Sequence, residues 1–237
     1  MSQSYPYPQP RTAVGSPADR RARFITRTYN HLFGAIVLFT LTEIALFKSG
    51  VADMIAATMM GGGRMFWFGA LAAFMVVGWL ATRFAHTAQS RPLQYAGLGA
   101  YVFAQALIFV PLLWIAENYA PSAIPSAGLV TMVGFAGLTG IAFWTRKDFS
   151  FLGGILRWGF ILALVLIIAG LVFGFQLGVF FSVAMVGLAG ATILYDTSNV
   201  LHHFPEDRYV GAALQLFASV AVMFFYVLRI FIGSRTS

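Results

Sequence analysis

Long apolar segments separated by short polar connections dominate the pattern of this chain. A helix that crosses a bilayer needs about 20 mainly apolar residues. Segments of that kind predict seven spans, at 28–47, 65–85, 94–116, 126–145, 153–173, 177–201 and 209–232. The pattern therefore predicts an all-α, polytopic membrane protein that folds as a bundle of seven transmembrane helices.

The segments outside the predicted spans are polar and mostly short. Residues 1–23 contain four prolines and several arginines but little apolar surface, which predicts a disordered tail. Residues 24–237 then form one transmembrane domain. The longest connection, 48–64, contains three consecutive glycines and is predicted to be a loop. The last segment, 209–232, either crosses the membrane or re-enters on one side.

The composition agrees with a lipid environment. The chain is 59% hydrophobic and 10% charged, whereas soluble domains contain about 25% charged residues. The net charge is +7, but the basic residues cluster in the connections, which indicates membrane anchoring rather than nucleic-acid binding. The expected partner is therefore the bilayer. Because the chain has no cysteine, disulfides, thiolate catalysis and cysteine-ligated metals are excluded.

The distribution of basic residues predicts the orientation. If the N-terminus is cytoplasmic, eleven of the 15 lysines and arginines fall on the cytoplasmic side, as the positive-inside rule requires. Gly170 and Gly174 form a GxxxG pattern that lets helices approach closely. Tight packing within one chain explains such a pattern more simply than dimerisation does, so we expect a monomer or a weak homo-oligomer.

Asp196 is the main candidate functional residue, because it lies in the apolar run of the sixth span. A charged side chain there costs about 3 kcal/mol or more unless it is paired, hydrated or protonated. Thr192 and Asn199 lie one helical turn away and could hydrogen-bond it. Arg83, at the inner end of the second span, is a candidate ionic partner. The alternatives are an Asp196 hydrated by headgroups and an Arg83 that snorkels as an ordinary anchor.

Three further polar residues lie within the predicted spans. Glu43, near the outer end of the first span, either lines an outer vestibule or lies at the membrane interface. Gln105, in the middle of the third span, either hydrogen-bonds another helix or lines a pore. Ser219 lies at mid-depth in the seventh span, where a serine commonly bonds its own helix backbone.

The chain lacks the residue patterns of membrane enzymes and receptors. His202 and His203 are adjacent and so do not share a helix face, and no metal site is predicted. Lys48 and Lys147 are the only lysines and lie outside the spans, which excludes a buried Schiff base. There is no HExxH motif, phosphate-binding glycine loop or second deep aspartate. We therefore predict no catalytic residues and no enzyme activity.

Four segments resemble one known family. They are TYNHLFGAI (28–36), QYAGLGAYVFAQALIFVPLL (94–113), TRKDFSFLGGIL (145–156) and YDTSNV (195–200). Together they resemble the Bax inhibitor-1 family of membrane proteins, over almost the whole chain after the tail. The resemblance implies a seven-helix bundle with the last helix near its centre.

The resemblance also implies a function. Some members of this family are pH-sensitive calcium leak channels, gated by two hydrogen-bonded aspartates on the sixth and seventh spans and by an arginine of the second. Asp196 matches the first aspartate, and Arg83 matches the arginine by approximate position. Ser219 stands where the second aspartate is found, and an Asp–Ser pair cannot share a proton between two carboxylates. The resemblance thus implies a cation leak, with Ca²⁺ as the transported ion, no cofactor and Asp196 as the titrating group.

A second implication comes from the serine itself. Its combination with the TRKD and TSN sequences resembles a bacterial branch of the family that modulates FtsH, a membrane-anchored AAA+ protease. This alternative implies an interaction protein of the bacterial inner membrane that does not transport ions. The tail 1–23 would then be the segment that such a protease engages.

Overall fold

The computed structural model describes residues 17–87 and 90–236, and every regular element within them is an α-helix. The helices are α1 (Pro17–Lys48), α2 (Val51–Gly61), α3 (Gly63–Thr87), α4 (Arg91–Tyr119), α5 (Ala123–Thr145), α6 (Leu152–Phe173), α7 (Val179–His202) and α8 (Tyr209–Thr236). Within the described ranges, seven of these helices are long and apolar enough to cross a membrane. The predicted all-α architecture with seven spans is confirmed.

The prediction of a loop over 48–64 is wrong, because this connection contains α2. Gly50 adopts a left-handed conformation with φ of 74°, which turns the chain sharply before the helix begins. Ala52 and Ala56 are then buried together with Val110 of α4. The helix has only 11 residues, which is too short to cross a bilayer. It packs instead against the side of α4.

The predicted disordered tail is too long at its C-terminal end, because residues 17–23 form the first turns of α1. Arg21 anchors these turns: its Nε donates to the carbonyl of Leu201 at 3.0 Å and its Nη1 to that of Phe204 at 2.5 Å. Leu201 lies in the last turn of α7 and Phe204 lies just after it, where backbone acceptors lack helical partners and a cation is favoured. Residues 1–16 lie outside the described residues.

Helix α8 occupies the centre of the bundle and packs against α1, α3, α4, α5 and α7. It is one continuous helix, which favours a full crossing over a re-entrant segment. Small residues allow its neighbours to come close. A Cβ atom at Gly134 of α5 would lie 3.4 Å from the Met223 sulfur, and one at Gly190 of α7 would lie 3.6 Å from the methyl group of Met223.

The outer surface of the bundle suits lipid contact. Trp144 and Phe180 are 90% and 93% exposed, and Trp158 and Phe173 are also exposed. These aromatic side chains lie at or near the ends of α5, α6 and α7, where aromatic residues concentrate at the membrane–water interfaces. Their position agrees with helices that span a bilayer.

The two sequence motifs TRKD and YDTSN are joined by Ser198, which is fully buried. Its hydroxyl group accepts a hydrogen bond from the Phe149 backbone N–H at 2.9 Å and contacts the Lys147 carbonyl oxygen at 3.4 Å. Asp148 also lies 3.4 Å from His203, just after α7. The connection between α5 and α6 is therefore held against the C-terminal end of α7.

We expect Ser198→Ala to lower the free energy of unfolding by about 1–3 kcal/mol, because it leaves the partly buried Phe149 N–H without an acceptor. Thermal unfolding of the purified protein in detergent measures the change. Ser49→Ala is the matched control, since the exposed Ser49 hydroxyl bonds the Leu46 carbonyl in the last turn of α1, three residues before it. Equal melting temperatures for the two variants would contradict the proposed anchoring role.

Candidate functional site

Asp196 is the most buried acidic group among the described residues, with 2% of its surface exposed. Both of its carboxylate oxygens accept hydrogen bonds from α8. The Gln215 side-chain amide donates to Oδ1, and the Ser219 hydroxyl group donates to Oδ2. Gln215 and Ser219 are four residues apart and so share one face of α8. The carboxyl group is thus satisfied by two neutral donors rather than by a cation.

A cleft of about 450 Å³ opens beside this cluster, between α6, α7 and α8. We call it the Asp196 cleft. Its polar lining consists of Arg157, Thr192, Tyr195, Asp196, Gln215 and Ser219. Gly153 of α6 also lines it, and a Cβ atom there would lie 3.1 Å from the Tyr195 ring. The glycine therefore lets Tyr195 pack directly against α6.

The cation at this cleft is Arg157, not the predicted Arg83. Arg157 is exposed and lines the cleft from α6. The predicted contact between Arg83 and Asp196 is not formed, because α3 packs against α2, α4, α6 and α8 but not against α7 within the described residues. Arg83 is exposed at the end of α3, with its guanidinium group 5.4 Å from the Trp79 ring centre.

The two predicted neighbours on α7 do not hydrogen-bond Asp196. The Thr192 hydroxyl group donates to the Leu188 carbonyl of its own helix at 2.9 Å, although the residue does line the cleft. The backbone carbonyl oxygen of Asn199 accepts a hydrogen bond from the His203 N–H at 2.8 Å, at the C-terminal end of α7. The donors to Asp196 are instead Gln215 and Ser219 of the neighbouring helix α8.

Glu43 and Gln105 lie elsewhere in the bundle. Glu43 lines a separate pocket near the C-terminal end of α1. Gln105 of α4 is buried, and its side-chain oxygen has no hydrogen-bond partner among the described residues. Neither residue reaches the Asp196 cleft.

His203, the residue after α7, contacts the connection between α5 and α6. His203 pairs with Asp148, and the described residues contain no group of three or more His, Asp or Glu side chains arranged to hold a metal ion. The Ser150 backbone N–H donates to the Asp148 carboxylate at 2.9 Å. This bond, helped by the charge of His203, holds the pKa of Asp148 below its usual value.

Sequence reasoning missed Gln215 and Arg157. Gln215 carried a usable signal, because it stands four residues before Ser219 in an otherwise apolar helix and therefore faces the same way. Arg157 was counted only as a basic residue of the cytoplasmic side. Its role at the cleft depends on how α6 is rotated, which no local pattern reveals.

Comparisons with known proteins agree on one family. Residues 21–236 match the family model described as "Inhibitor of apoptosis-promoting Bax1". Protein LIFEGUARD 4 of Arabidopsis thaliana is 29% identical over 93% of this chain and 88% of its own length. An uncharacterised protein of Pseudomonas aeruginosa is 37% identical over 46% of this chain and 50% of its own length.

A third relative is named for an interaction. The Escherichia coli protein called "Modulator of FtsH protease YccA" is 31% identical over 44% of this chain and 52% of its own length. The matches to the bacterial proteins from P. aeruginosa and E. coli thus span about half of each relative. None of these names describes an enzyme activity.

We expect Gln215→Leu to destabilise the protein by about 1–3 kcal/mol, and more at pH 8 than at pH 6, because a donor stabilises an ionised carboxylate more than a neutral carboxyl group. Thermal unfolding in detergent at the two pH values measures this. The same substitution in an Asp196→Asn background is the control, where the difference between pH values should vanish. A loss that is independent of pH in both backgrounds would contradict the pairing.

Proposed function

Because the chain belongs to the Bax inhibitor-1 family of integral membrane proteins, we propose that it is a cation leak, with Ca²⁺ as the transported ion, controlled by protonation of Asp196. The observation that carries this proposal is a buried carboxyl group, held by neutral donors, on the wall of an open cleft that an arginine also lines. We place the protein in a bacterial inner membrane with its N-terminus in the cytoplasm. In this function the protein moves ions without catalysis.

The Ser219 hydroxyl group lets the cluster accommodate both protonation states of Asp196. With Asp196 ionised, the hydroxyl group donates to its Oδ2. With Asp196 protonated, the carboxyl O–H donates to the serine oxygen, and the serine hydrogen turns to the Gln215 carbonyl oxygen, which lies 3.2 Å away. One hydroxyl group therefore replaces the second carboxylate of the paired-aspartate members, without sharing a proton between two acids.

The surroundings of Asp196 determine the balance between the ionised and the protonated form of its carboxyl group. Burial disfavours the ionised form, and hydrogen-bond donors favour it. The other charged or titratable side chains that line the cleft are Arg157 and Tyr195. When Asp196 is ionised, its charge favours cations in the cleft and attracts Arg157. When Asp196 is protonated, the charge of Arg157 is no longer balanced. The cleft then carries a net positive charge, which repels cations.

The test is calcium flux into proteoliposomes at about pH 6 and about pH 8, which bracket neutral pH. We expect the leak of the wild type to differ between the two pH values. We expect the leak of Asp196→Asn to be the same at pH 6 as at pH 8, because asparagine cannot titrate. A change of about tenfold between the two pH values corresponds to about 1.4 kcal/mol of difference in barrier.

Asp207→Asn is the matched control, since Asp207 is exposed in the connection before α8. It removes the same charge on the same side of the membrane and should leave the flux unchanged. Absence of flux at both pH values in the wild type would reject the leak. A wild-type pH profile in Asp196→Asn would reject Asp196 as its gate.

A second candidate function is modulation of the FtsH protease. It is favoured by the similarity to the E. coli protein that carries this name, and it rests on a match to less than half of the chain. In this role the Asp196 cluster stabilises the pairing of α7 with α8, and the segment before α1 engages the protease.

The expected result is that the purified chain, reconstituted with FtsH in nanodiscs, slows degradation of a membrane substrate. Deleting residues 1–16 should weaken this effect and leave α1 intact, because the described helix begins at Pro17. A variant whose first 16 residues are scrambled keeps length and composition as a control. Degradation at the same rate with and without the chain would reject this function.

A further inference from the structure

A second buried carboxylate lies on the opposite side of α8 from the Asp196 cleft. Glu43 of α1 is 7% exposed, and neither of its carboxylate oxygens has a hydrogen-bond partner among the described residues. No lysine, arginine or histidine forms an ion pair with it in the same part of the chain. A buried carboxylate without donors or a counter-ion is strongly disfavoured. It therefore needs a positively charged partner from outside the protein, or a proton.

Glu43 lines a pocket of about 370 Å³, which we call the Glu43 pocket. Glu117, in the last turns of α4, contributes a second carboxylate and is exposed, so that it lies at the pocket mouth. Most of the remaining lining is apolar and aromatic, and it includes Phe39, Phe47 and Phe224. The pocket thus combines two negative charges with three aromatic rings and offers no positive charge.

This combination selects among cations. A calcium ion takes six to eight oxygen ligands, and the pocket offers only two carboxylates together with the Thr40 hydroxyl group, which already bonds the Ile36 carbonyl. An organic ammonium ion needs fewer oxygens, because aromatic faces attract it and apolar walls cover its carbon atoms. Pockets of about 300–1,000 Å³ are typical for small ligands of this kind.

We propose that the Glu43 pocket binds a lipophilic organic cation, an amine or quaternary ammonium ion with an apolar body, whose charge is neutralised by Glu43 and Glu117. The site is independent of the Asp196 cleft. Phe224 of α8 lines the Glu43 pocket, whereas Gln215 and Ser219 of the same helix line the cleft. The proposal therefore stands whether or not the protein conducts calcium.

The test uses benzyltrimethylammonium as the probe, on the full chain in nanodiscs at about pH 8, with equilibrium binding as the readout. Neopentylbenzene, in which carbon replaces the charged nitrogen, is the neutral control ligand. We expect saturable binding of the ammonium ion. We expect Glu43→Gln to weaken binding by about 30-fold or more, as loss of one partner of a buried charge pair does, and Glu117→Gln to weaken it less.

Gly128→Leu tests the same pocket without touching either carboxylate. A Cβ atom at Gly128 would have no heavy atom within 4 Å, so there is room for the start of a larger side chain, and leucine favours the helix more than glycine. We expect this variant to fold and to lose the probe. Asp196→Asn and Asp53→Asn should bind like the wild type, since Asp196 lies in the other cleft and Asp53 instead accepts a hydrogen bond from Trp114.

Four results would overturn the proposal: equal binding of the neutral and charged probes, wild-type affinity in Glu43→Gln, wild-type affinity in Gly128→Leu, or no saturable binding. Displacement of the probe by micromolar Ca²⁺ would overturn the organic-cation assignment in favour of a divalent-ion site. Saturable, charge-dependent binding that both Glu43→Gln and Gly128→Leu remove would support the proposal.

Discussion

The hydrogen bonds from α8 to the Asp196 carboxyl group are the interaction on which the bundle depends most. A carboxyl group inside a membrane span must receive donors, and Gln215 and Ser219 supply them. Their common face of α8 is therefore turned toward α7. The opposite face of α8 then packs its phenylalanines against α1 and α4, where Phe109 lies 5.6 Å from Phe224 and 5.1 Å from Phe39 between ring centres.

Polar contacts at one end of the bundle reinforce this arrangement. Ser198 holds the connection between α5 and α6, and Arg21 holds the start of α1, both against the C-terminal part of α7. Each contact uses backbone groups that a helix end or a loop leaves without partners. The region around Asp196 is thus fixed from several helices, whereas α6, among the described residues, packs mainly on α7. That sparse packing of α6 is what leaves the Asp196 cleft open.

The central helix also separates two buried acids with different surroundings. Asp196 has two neutral donors and an arginine across its cleft, and in the proposed leak its own protonation is the variable quantity. Glu43 has no donor among the described residues and lies among aromatic rings, and in our proposal a positively charged ligand neutralises it. A carboxylate in a membrane can therefore serve as a titrating switch or as a binding group, depending on whether the protein itself supplies its partners.

The sequence by itself determined the seven spans, because the length of an apolar segment is a local property that the bilayer thickness sets. It also singled out Asp196 and Glu43, since a charge within an apolar run is visible without a structure. It missed α2, whose helix is stabilised by burial of two alanines against α4. Only the tertiary structure decided that Gln215 rather than Thr192 or Asn199 hydrogen-bonds Asp196, and that Arg157 rather than Arg83 lines its cleft. The physical reason is that such contacts depend on how distant helices are rotated and which of them are neighbours, and the pattern along one helix contains neither.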